Sequence, residues 1–103
     1  MATIRWTLRA QLDLREIRNF AARSSPQTAL ATTTYLLQAT LRLKDFPFSG
    51  RTVPEFESRD LREVVAPPFR VLYIVRPGDI VEIQAIYRSS RDLRRILGRD
   101  PLN

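Results

Sequence analysis

The spacing of apolar residues changes once along this chain, and this change constrains the fold more than any other feature of the sequence. Up to Lys44 the apolar residues recur at helical spacing, in two stretches separated by a break at residues 24–26. Beyond residue 60 they alternate with polar residues, which is typical of β-strands. A helical half followed by a strand half predicts an α+β fold in which a helical hairpin packs on a sheet.

Both predicted helices are amphipathic, and the sequence marks where they end. The first helix ends near Arg23 and carries an apolar stripe made of Ala10, Leu14, Ile17 and Ala21. The second helix is predicted from Pro26 to Lys44. Ser25 is its expected N-cap, because a serine hydroxyl accepts a backbone N–H of the first turn, and Pro26 suits the first helical position.

Four segments are predicted as strands, and the last two form a hairpin. They are residues 3–6, 61–65, 69–75 and 80–87, with Pro77-Gly78 as the hairpin turn. A register that pairs Val75 with Ile80 gives two apolar pairs on one face, Leu72 with Ile83 and Ile74 with Val81. We expect the helices to cover that face.

The remaining segments fit one domain that spans residues 1–103. A chain of this length buries about two-thirds of its unfolded surface around a single core. The stretch 46–54 holds two prolines and a glycine, and we expect an ordered loop with Phe46 and Phe48 tucked under the helices. Residues 91–97 are predicted to form a short C-terminal helix, with Ser90 as its N-cap.

The charge of the chain points to an acidic or polyanionic partner. The formal net charge is +6, and all but one of the 17 basic residues are arginine, whose planar donors suit carboxylates and phosphates. The chain has no histidine and no cysteine, so the usual general base near neutral pH and the thiol nucleophile are both missing. We expect no cofactor and no metal, and interpret two carboxylate pairs, Glu55 with Glu57 and Asp13 with Glu16, as solvated surface charge.

No segment of the sequence is apolar enough to enter a membrane. The longest uninterrupted apolar run is Val71–Val75, whereas a spanning helix needs roughly 20 apolar residues. Arg5 precedes any stretch of the length found in signal peptides. We therefore expect a cytoplasmic protein without a membrane partner.

Arg70 is the arginine whose position is hardest to explain. It shares the alternation of Leu72 and Ile74, and the expected register places it opposite Ala85. Burying a guanidinium without a partner is costly, so Arg70 must lie at the margin of the sheet or meet a carboxylate. A structural ion pair and a functional contact both fit the sequence.

The order and spacing of several short motifs resemble the ParE/RelE superfamily of bacterial toxins, in particular its ParE-like branch of plasmid stabilisation proteins. The resemblance covers nearly the whole chain. The matching residues are Ala10, Asp13-Leu14, Ile17 and Phe20-Ala21; Phe46-Pro47, Gly50-Arg51 and Val53-Pro54-Glu55; Leu61-Arg62-Glu63; Phe69-Arg70-Val71-Leu72-Tyr73; and Arg91-Asp92-Leu93.

The resemblance implies a helical hairpin on one face of a small, mainly antiparallel sheet, followed by a short C-terminal helix. It also implies the toxin of a type II toxin–antitoxin system. The expected partner is a ParD-like antitoxin whose acidic, amphipathic C-terminal segment wraps and neutralises the toxin in a hetero-oligomer. Charge complementarity between such a segment and a basic toxin favours this pairing.

The superfamily divides by target. ParE-like members are known for poisoning DNA gyrase, whereas RelE-like members are metal-independent endonucleases that cut messenger RNA in the ribosome. RelE-like nucleases typically carry sheet lysines and often a C-terminal tyrosine, but here no lysine lies in a predicted strand and no aromatic residue follows Tyr87. These absences favour a gyrase inhibitor without chemistry of its own, although whether the protein is an enzyme stays open.

Two alternatives remain beside the gyrase inhibitor. One is a RelE-like ribosome-dependent endonuclease that uses Arg70, Tyr87 and Arg88. The other is an inactive relative that acts only within a toxin–antitoxin repressor complex. For contacts with the target or the antitoxin, the candidate residues are Arg51, Arg62, Arg70, Arg88 and Arg91.

Overall fold

Two helices pack on one face of a five-stranded sheet. The computed structural model describes residues 1–56 and 60–88. Its elements are β1 (Thr3–Trp6), α1 (Leu8–Ala22), α2 (Pro26–Leu41), a 3₁₀ turn (Arg42–Lys44), β2 (Arg51–Thr52), β3 (Leu61–Ala66), β4 (Phe69–Arg76) and β5 (Ile80–Arg88). The strand order is β1-β5-β4-β3-β2, and only β1 runs parallel to its neighbour. The α+β fold is therefore confirmed, while the predicted helix over 91–97 lies outside the described residues.

The helices begin at side-chain caps. The Ser25 hydroxyl accepts the backbone N–H of Thr28 at 3.0 Å, which confirms the predicted N-cap, and Thr7 caps α1 by accepting the N–H of Ala10 at 3.1 Å. The second helix stops at Leu41, because residues 42–44 tighten into a 3₁₀ turn. Neither helix among the described residues has the length and apolar character needed to cross a bilayer.

The register of the hairpin differs from the predicted one. The turn holds three residues, with positive φ at Gly78 and Asp79, so that Val75 pairs with Val81 and Tyr73 with Ile83. A bulge then inserts Gln84, and Leu72 pairs with Ala85 while Arg70 pairs with Tyr87. Each added residue shifts the partner of every β4 position beyond it.

The shifted register exchanges the two faces of β4. The helices cover a face on which Tyr73 and Val71 are fully buried, together with Val81 and Ile83 of β5 and Leu36 of α2. Leu72 and Ile74 instead belong to the opposite face, called the far face below, with Val53, Leu61, Ala85 and Tyr87. The prediction that the helices cover Leu72 and Ile74 is wrong, whereas the prediction for Val81 and Ile83 is confirmed.

The segment between the 3₁₀ turn and β3 is anchored by small residues rather than by its aromatic rings. Phe46 and Phe48 are 67% and 61% exposed, so the prediction that they lie under the helices is wrong. Val53 is buried on the far face, and the backbone N–H of Gly50 donates to the Tyr73 hydroxyl at 2.9 Å. A side chain at Gly50 would overlap Tyr73 and the Glu63 carbonyl, so the chain passes close to β3 and β4 at this point.

Residues of helix α1 and its N-cap supply hydrogen-bond partners to the edge of β5 beyond the end of β1. The backbone N–H of Thr7 donates to the Ile83 carbonyl at 3.1 Å, and the Thr7 hydroxyl donates to the Gln84 carbonyl at 3.1 Å. One turn and a half later, Asp13 accepts the backbone N–H of Ile86 at 3.0 Å. These bonds supply partners for backbone groups of β5 that β1 is too short to reach.

Replacing Asp13 with alanine is expected to lower the free energy of unfolding by about 1–3 kcal/mol, because the N–H of Ile86 loses its acceptor. Asp13→Asn should cost far less, since an amide oxygen also accepts this hydrogen bond. Burial raises the pKa of Asp13 because it disfavours the charged carboxylate, and the amide carries no charge. As a matched control, Glu16→Ala changes an exposed carboxylate of the same helix and should stay within about 0.5 kcal/mol of the wild type. Urea denaturation of the three variants provides the measurement, and equal losses for Asp13→Ala and Glu16→Ala would contradict this role.

The pH dependence of stability, compared between the wild type and Asp13→Asn, gives a second test of this role. The raised pKa means that the folded chain holds the Asp13 proton more tightly than the unfolded chain. The wild type should therefore gain stability relative to Asp13→Asn as the pH falls toward the unfolded value of an aspartate, about 3.9.

Candidate functional site

The far face of the sheet carries one buried arginine held between two carboxylates. Arg70 of β4 donates from Nε and Nη2 to the two oxygens of Glu63 on β3, both at 2.6 Å. Its Nη1 and Nη2 donate to the two oxygens of Glu55 in the loop before β3, at 2.6 and 2.7 Å. These three residues are called the Arg70 cluster below. Four of the five guanidinium N–H donors are therefore used inside the protein.

Burial and charge make the Arg70 cluster a closed unit. The side chains of Arg70 and Glu63 are 6% and 0% exposed, and that of Glu55 is 23% exposed. The hydrogen bonds that Arg70 donates to Glu55 and then to Glu63 raise the pKa of Arg70, and the bond from Arg70 lowers the pKa of Glu55. The expectation that Arg70 meets a carboxylate is confirmed.

Two further candidate arginines lie beside this cluster at the β2–β3 edge. Arg51 has a side chain that is 60% exposed, and its Nε lies 3.5 Å from a Glu63 oxygen. The Arg62 guanidinium donates to the carbonyls of Gly50 at 2.8 Å and Phe48 at 3.4 Å, and it lies 5.2 Å from the centre of the Phe48 ring. The structure therefore leaves the Arg51 guanidinium more open to a partner than that of Arg62.

The structure brings two of the three residues predicted for a nuclease together on the far face and places the third on the helix-covered face. Tyr87 is the cross-strand partner of Arg70, but it is 8% exposed, and its hydroxyl is buried without a hydrogen-bond partner among residues 1–56 and 60–88. Arg88 is exposed, and its guanidinium lies 5.7 Å from the Phe20 ring of α1 and 5.4 Å from the Phe69 ring of the helix-covered face. Arg91 lies outside the described residues.

Two of the four carboxylates first interpreted as solvated surface charge have structural partners instead, whereas Glu16 is exposed as expected. Glu55 binds Arg70, and Asp13 is half-buried against β5. That interpretation is wrong for these two residues, because backbone edges and buried cations compete for carboxylates in ways that sequence spacing does not reveal. Glu57 lies outside the described residues.

The helical hairpin carries a groove with an apolar floor and a basic rim. The groove has a volume of about 580 Å³, and its floor includes Trp6 of β1, Leu14 of α1 and Leu37 of α2. Arg15 and Arg18 of α1 also line it. Helix α2 itself contains no charged residue, so all charge at this groove is positive.

Known proteins share both the sequence pattern and the fold of this chain. Residues 4–93 match the family model described as the ParE toxin of the type II toxin–antitoxin system parDE. Toxin RelE2 of Caulobacter vibrioides is 36% identical over 92 residues, which cover 88% of this chain and 99% of that protein.

Three solved structures resemble the fold. A chain of the chromosomal ParDE system from P. aeruginosa matches with a TM-score of 0.73 at 24% identity, over 85% of this chain and 96% of that chain. The Mycobacterium tuberculosis RelBE2 toxin–antitoxin complex gives 0.59 at 20% identity, over 84% and 96%. The isolated E. coli RelE toxin gives 0.61 at 14% identity, over 94% and 100%. From the family model and the relative in Caulobacter, the chain belongs to the ParE toxin family, within the ParE/RelE superfamily of type II toxin–antitoxin toxins.

Proposed function

We propose that this toxin inhibits DNA gyrase by binding to it and does not cleave RNA. The observation that carries the proposal is the Arg70 cluster. In it, Glu55 and Glu63 already bind the arginine that an RNA-cleaving site would need. Metal-independent cleavage of RNA requires a group that removes the 2′-hydroxyl proton, a group that protonates the leaving oxygen and cations around the phosphorane. The described part of the chain offers these groups poorly.

Each candidate for cleavage has another role or an unsuitable position. Arg70 uses its donors on Glu55 and Glu63, which present negative charge where a phosphate would have to approach. Tyr87 is buried, and Arg88 lies by the rings of Phe20 and Phe69 with a guanidinium that donates hydrogen bonds and has no acceptor atom to take up a proton. The chain has no histidine to replace them.

Binding to a protein fits the same residues. Arg51 and Arg88 are exposed cations that can pair with carboxylates of a partner without moving a proton. The resemblance of the sequence to ParE-like toxins supplies gyrase as the target. The 36% identical relative carries the name Toxin RelE2, which keeps the RelE-like endonuclease as the second candidate.

The antitoxin is proposed to bind the groove of the helical hairpin. Two of the structural neighbours come from toxin–antitoxin systems, ParDE and RelBE2, which supports an antitoxin partner for this chain. An acidic, amphipathic segment fits the groove because its apolar residues can cover Trp6, Leu14 and Leu37 while its carboxylates meet Arg15 and Arg18. A hetero-oligomer of toxin and antitoxin follows from this arrangement.

A supercoiling assay tests the proposed function. Purified toxin is titrated into DNA gyrase, ATP and relaxed plasmid, and we expect supercoiling to be lost and then restored by an equimolar amount of the cognate antitoxin. Full supercoiling at an excess of folded toxin would overturn the proposal.

A variant pair tests the place of the antitoxin. Leu37→Glu puts a negative charge into the groove and should raise the antitoxin concentration needed for restoration at least about tenfold. Leu30→Glu is the matched control, since Leu30 is an exposed residue of the same helix outside the groove. Equal neutralisation of both variants would place the antitoxin elsewhere.

A further inference from the structure

Two phenylalanines stand out of the surface in the loop before β2. Phe46 and Phe48 are 67% and 61% exposed and only two residues apart. Water is a poor environment for such rings, and clustered exposed aromatic residues mark sites where a partner removes them from solvent. Neither ring lines the groove of the helical hairpin or belongs to the Arg70 cluster.

The loop that carries these rings is held in place from several sides. Its turn is closed by the N–H of Ser49, which donates to the Phe46 carbonyl at 3.1 Å. The Arg62 guanidinium binds the carbonyls of Phe48 and Gly50, and the Gly50 N–H binds the Tyr73 hydroxyl. Rings displayed by a fixed loop lose little conformational entropy when a partner binds.

A groove lies beside the loop and adds aliphatic and cationic contacts. It has a volume of about 480 Å³, and Ala39, Leu43, Val64 and Val65 are aliphatic residues of its lining, beside the ring of Phe46. Val65 is 43% exposed, and no strand of the described residues pairs with it on the outer side of β3. The groove therefore suits aliphatic side chains of an extended segment.

The charge around this groove selects an acidic occupant. Arg42 and Arg51 line it. Lys44 lies in the same 3₁₀ turn as Arg42, and Arg62 lies in the neighbouring strand β3. The opposing carboxylates are Glu63, which already binds Arg70, and the exposed Asp45. A segment that carries carboxylates next to aliphatic residues matches this balance.

We infer that Phe46, Phe48, Val65, Arg42 and Arg51 form the surface on which the toxin docks its protein target, through an acidic segment with aliphatic side chains. The inference rests on the proposed function in requiring a protein target. Single-stranded RNA also stacks on exposed aromatic rings, but the aliphatic lining offers bases no further ring to stack on, and the Arg62 guanidinium is used on loop carbonyls.

A double substitution, Phe46→Ser with Phe48→Ser, tests the docking surface. Both rings are exposed, so the variant should keep the melting temperature of the wild type within a few degrees. We expect it to need at least about tenfold more toxin to arrest bacterial growth and to inhibit gyrase, and to bind the antitoxin within about threefold of wild type. Leu30→Ser is the matched control, an equally exposed residue on α2 that should leave all three values unchanged.

The charge of the surface has its own test. Arg42→Glu should weaken inhibition more at low salt than at high salt, because screening removes the long-range attraction of an acidic segment. Inhibition by Arg42→Glu that equals the wild type at low salt would contradict the acidic character of the partner.

The outcomes separate this surface from the identity of the target. If the wild type arrests growth while supercoiling is intact, gyrase is the wrong target, and growth arrest by the double variant still decides the docking surface. Arrest by the double variant at wild-type levels, or no arrest by the wild type, overturns the surface. A parallel loss of antitoxin binding also overturns it, as does binding of a single-stranded RNA oligonucleotide that the double variant loses.

Discussion

Replacing Arg70 with alanine is expected to lower the free energy of unfolding by about 3–5 kcal/mol, the range found when one partner is removed from a buried ion pair. The loss arises because Glu63 is fully buried and would lose both hydrogen bonds from Arg70, while the exposed Arg51 stays 3.5 Å away. Glu55 would also lose its bidentate partner, and the loop before β3 would lose its attachment to β4. Urea denaturation of the purified variant provides the measurement.

Arg76→Ala is the matched control for this prediction. Arg76 lies on the same strand and binds Glu82 at 3.1 Å, but its side chain is 48% exposed. Exposed ion pairs contribute at most about 1 kcal/mol, so this variant should unfold near the wild-type midpoint. Equal losses for Arg70→Ala and Arg76→Ala would show that the Arg70 cluster does not hold the far face together.

A compensating variant shows whether the uncompensated charge causes the loss. Combining Arg70→Met with Glu63→Leu removes both buried charges and replaces them with apolar side chains. The double variant should recover much of the stability that Arg70→Ala loses, because buried pairs are often replaced by apolar residues at little cost. No recovery would indicate that packing around the guanidinium, and not its charge, is what matters.

Gly50→Ala is expected to destabilise the protein by about 2–4 kcal/mol, from steric overlap together with a lost hydrogen bond. A Cβ at this position would lie 2.5 Å from both the Glu63 carbonyl oxygen and the Tyr73 hydroxyl oxygen. The first of these is a backbone atom inside the sheet and cannot rotate away. The loop would have to move outward, which removes the N–H donor from the Tyr73 hydroxyl.

Gly78→Ala is the control that distinguishes steric overlap at Gly50 from the backbone cost of replacing a glycine with a positive φ. Gly78 has a φ of +84° in the hairpin turn, but a Cβ there meets no atom within 4 Å. Its substitution should cost about 1–2 kcal/mol from backbone conformation alone. Thermal unfolding of both variants compares them directly, and a smaller loss for Gly50→Ala than for Gly78→Ala would contradict the steric account.

The helices and strands could be predicted from the sequence because the period of apolar residues depends mainly on local geometry. The Ser25 cap and the strands beginning at Leu61, Phe69 and Ile80 are where the pattern placed them. The register of the hairpin could not be predicted in this way. Apolar residues occupy both faces of β4, so alternation alone does not distinguish Tyr73 from Leu72 as the residue under the helices.

The site was predicted less completely than the fold. A carboxylate partner for Arg70 could be expected from the cost of burying a guanidinium, and Glu63 lies on the same face of the neighbouring strand. Glu55 could not be identified, because it reaches Arg70 from an irregular loop. The exposure of Phe46 and Phe48 could not be predicted either, since a ring packed under a helix and an exposed ring that binds a partner have the same sequence signal.

We propose that this toxin binds its target and breaks no bond, since its buried arginine is already paired with Glu55 and Glu63. The most direct measurement is primer extension on ribosome-bound messenger RNA after incubation with a stoichiometric amount of folded toxin. We expect full-length transcripts, with the same pattern as a sample without toxin. New ends at defined codons that disappear when the antitoxin is added would contradict it.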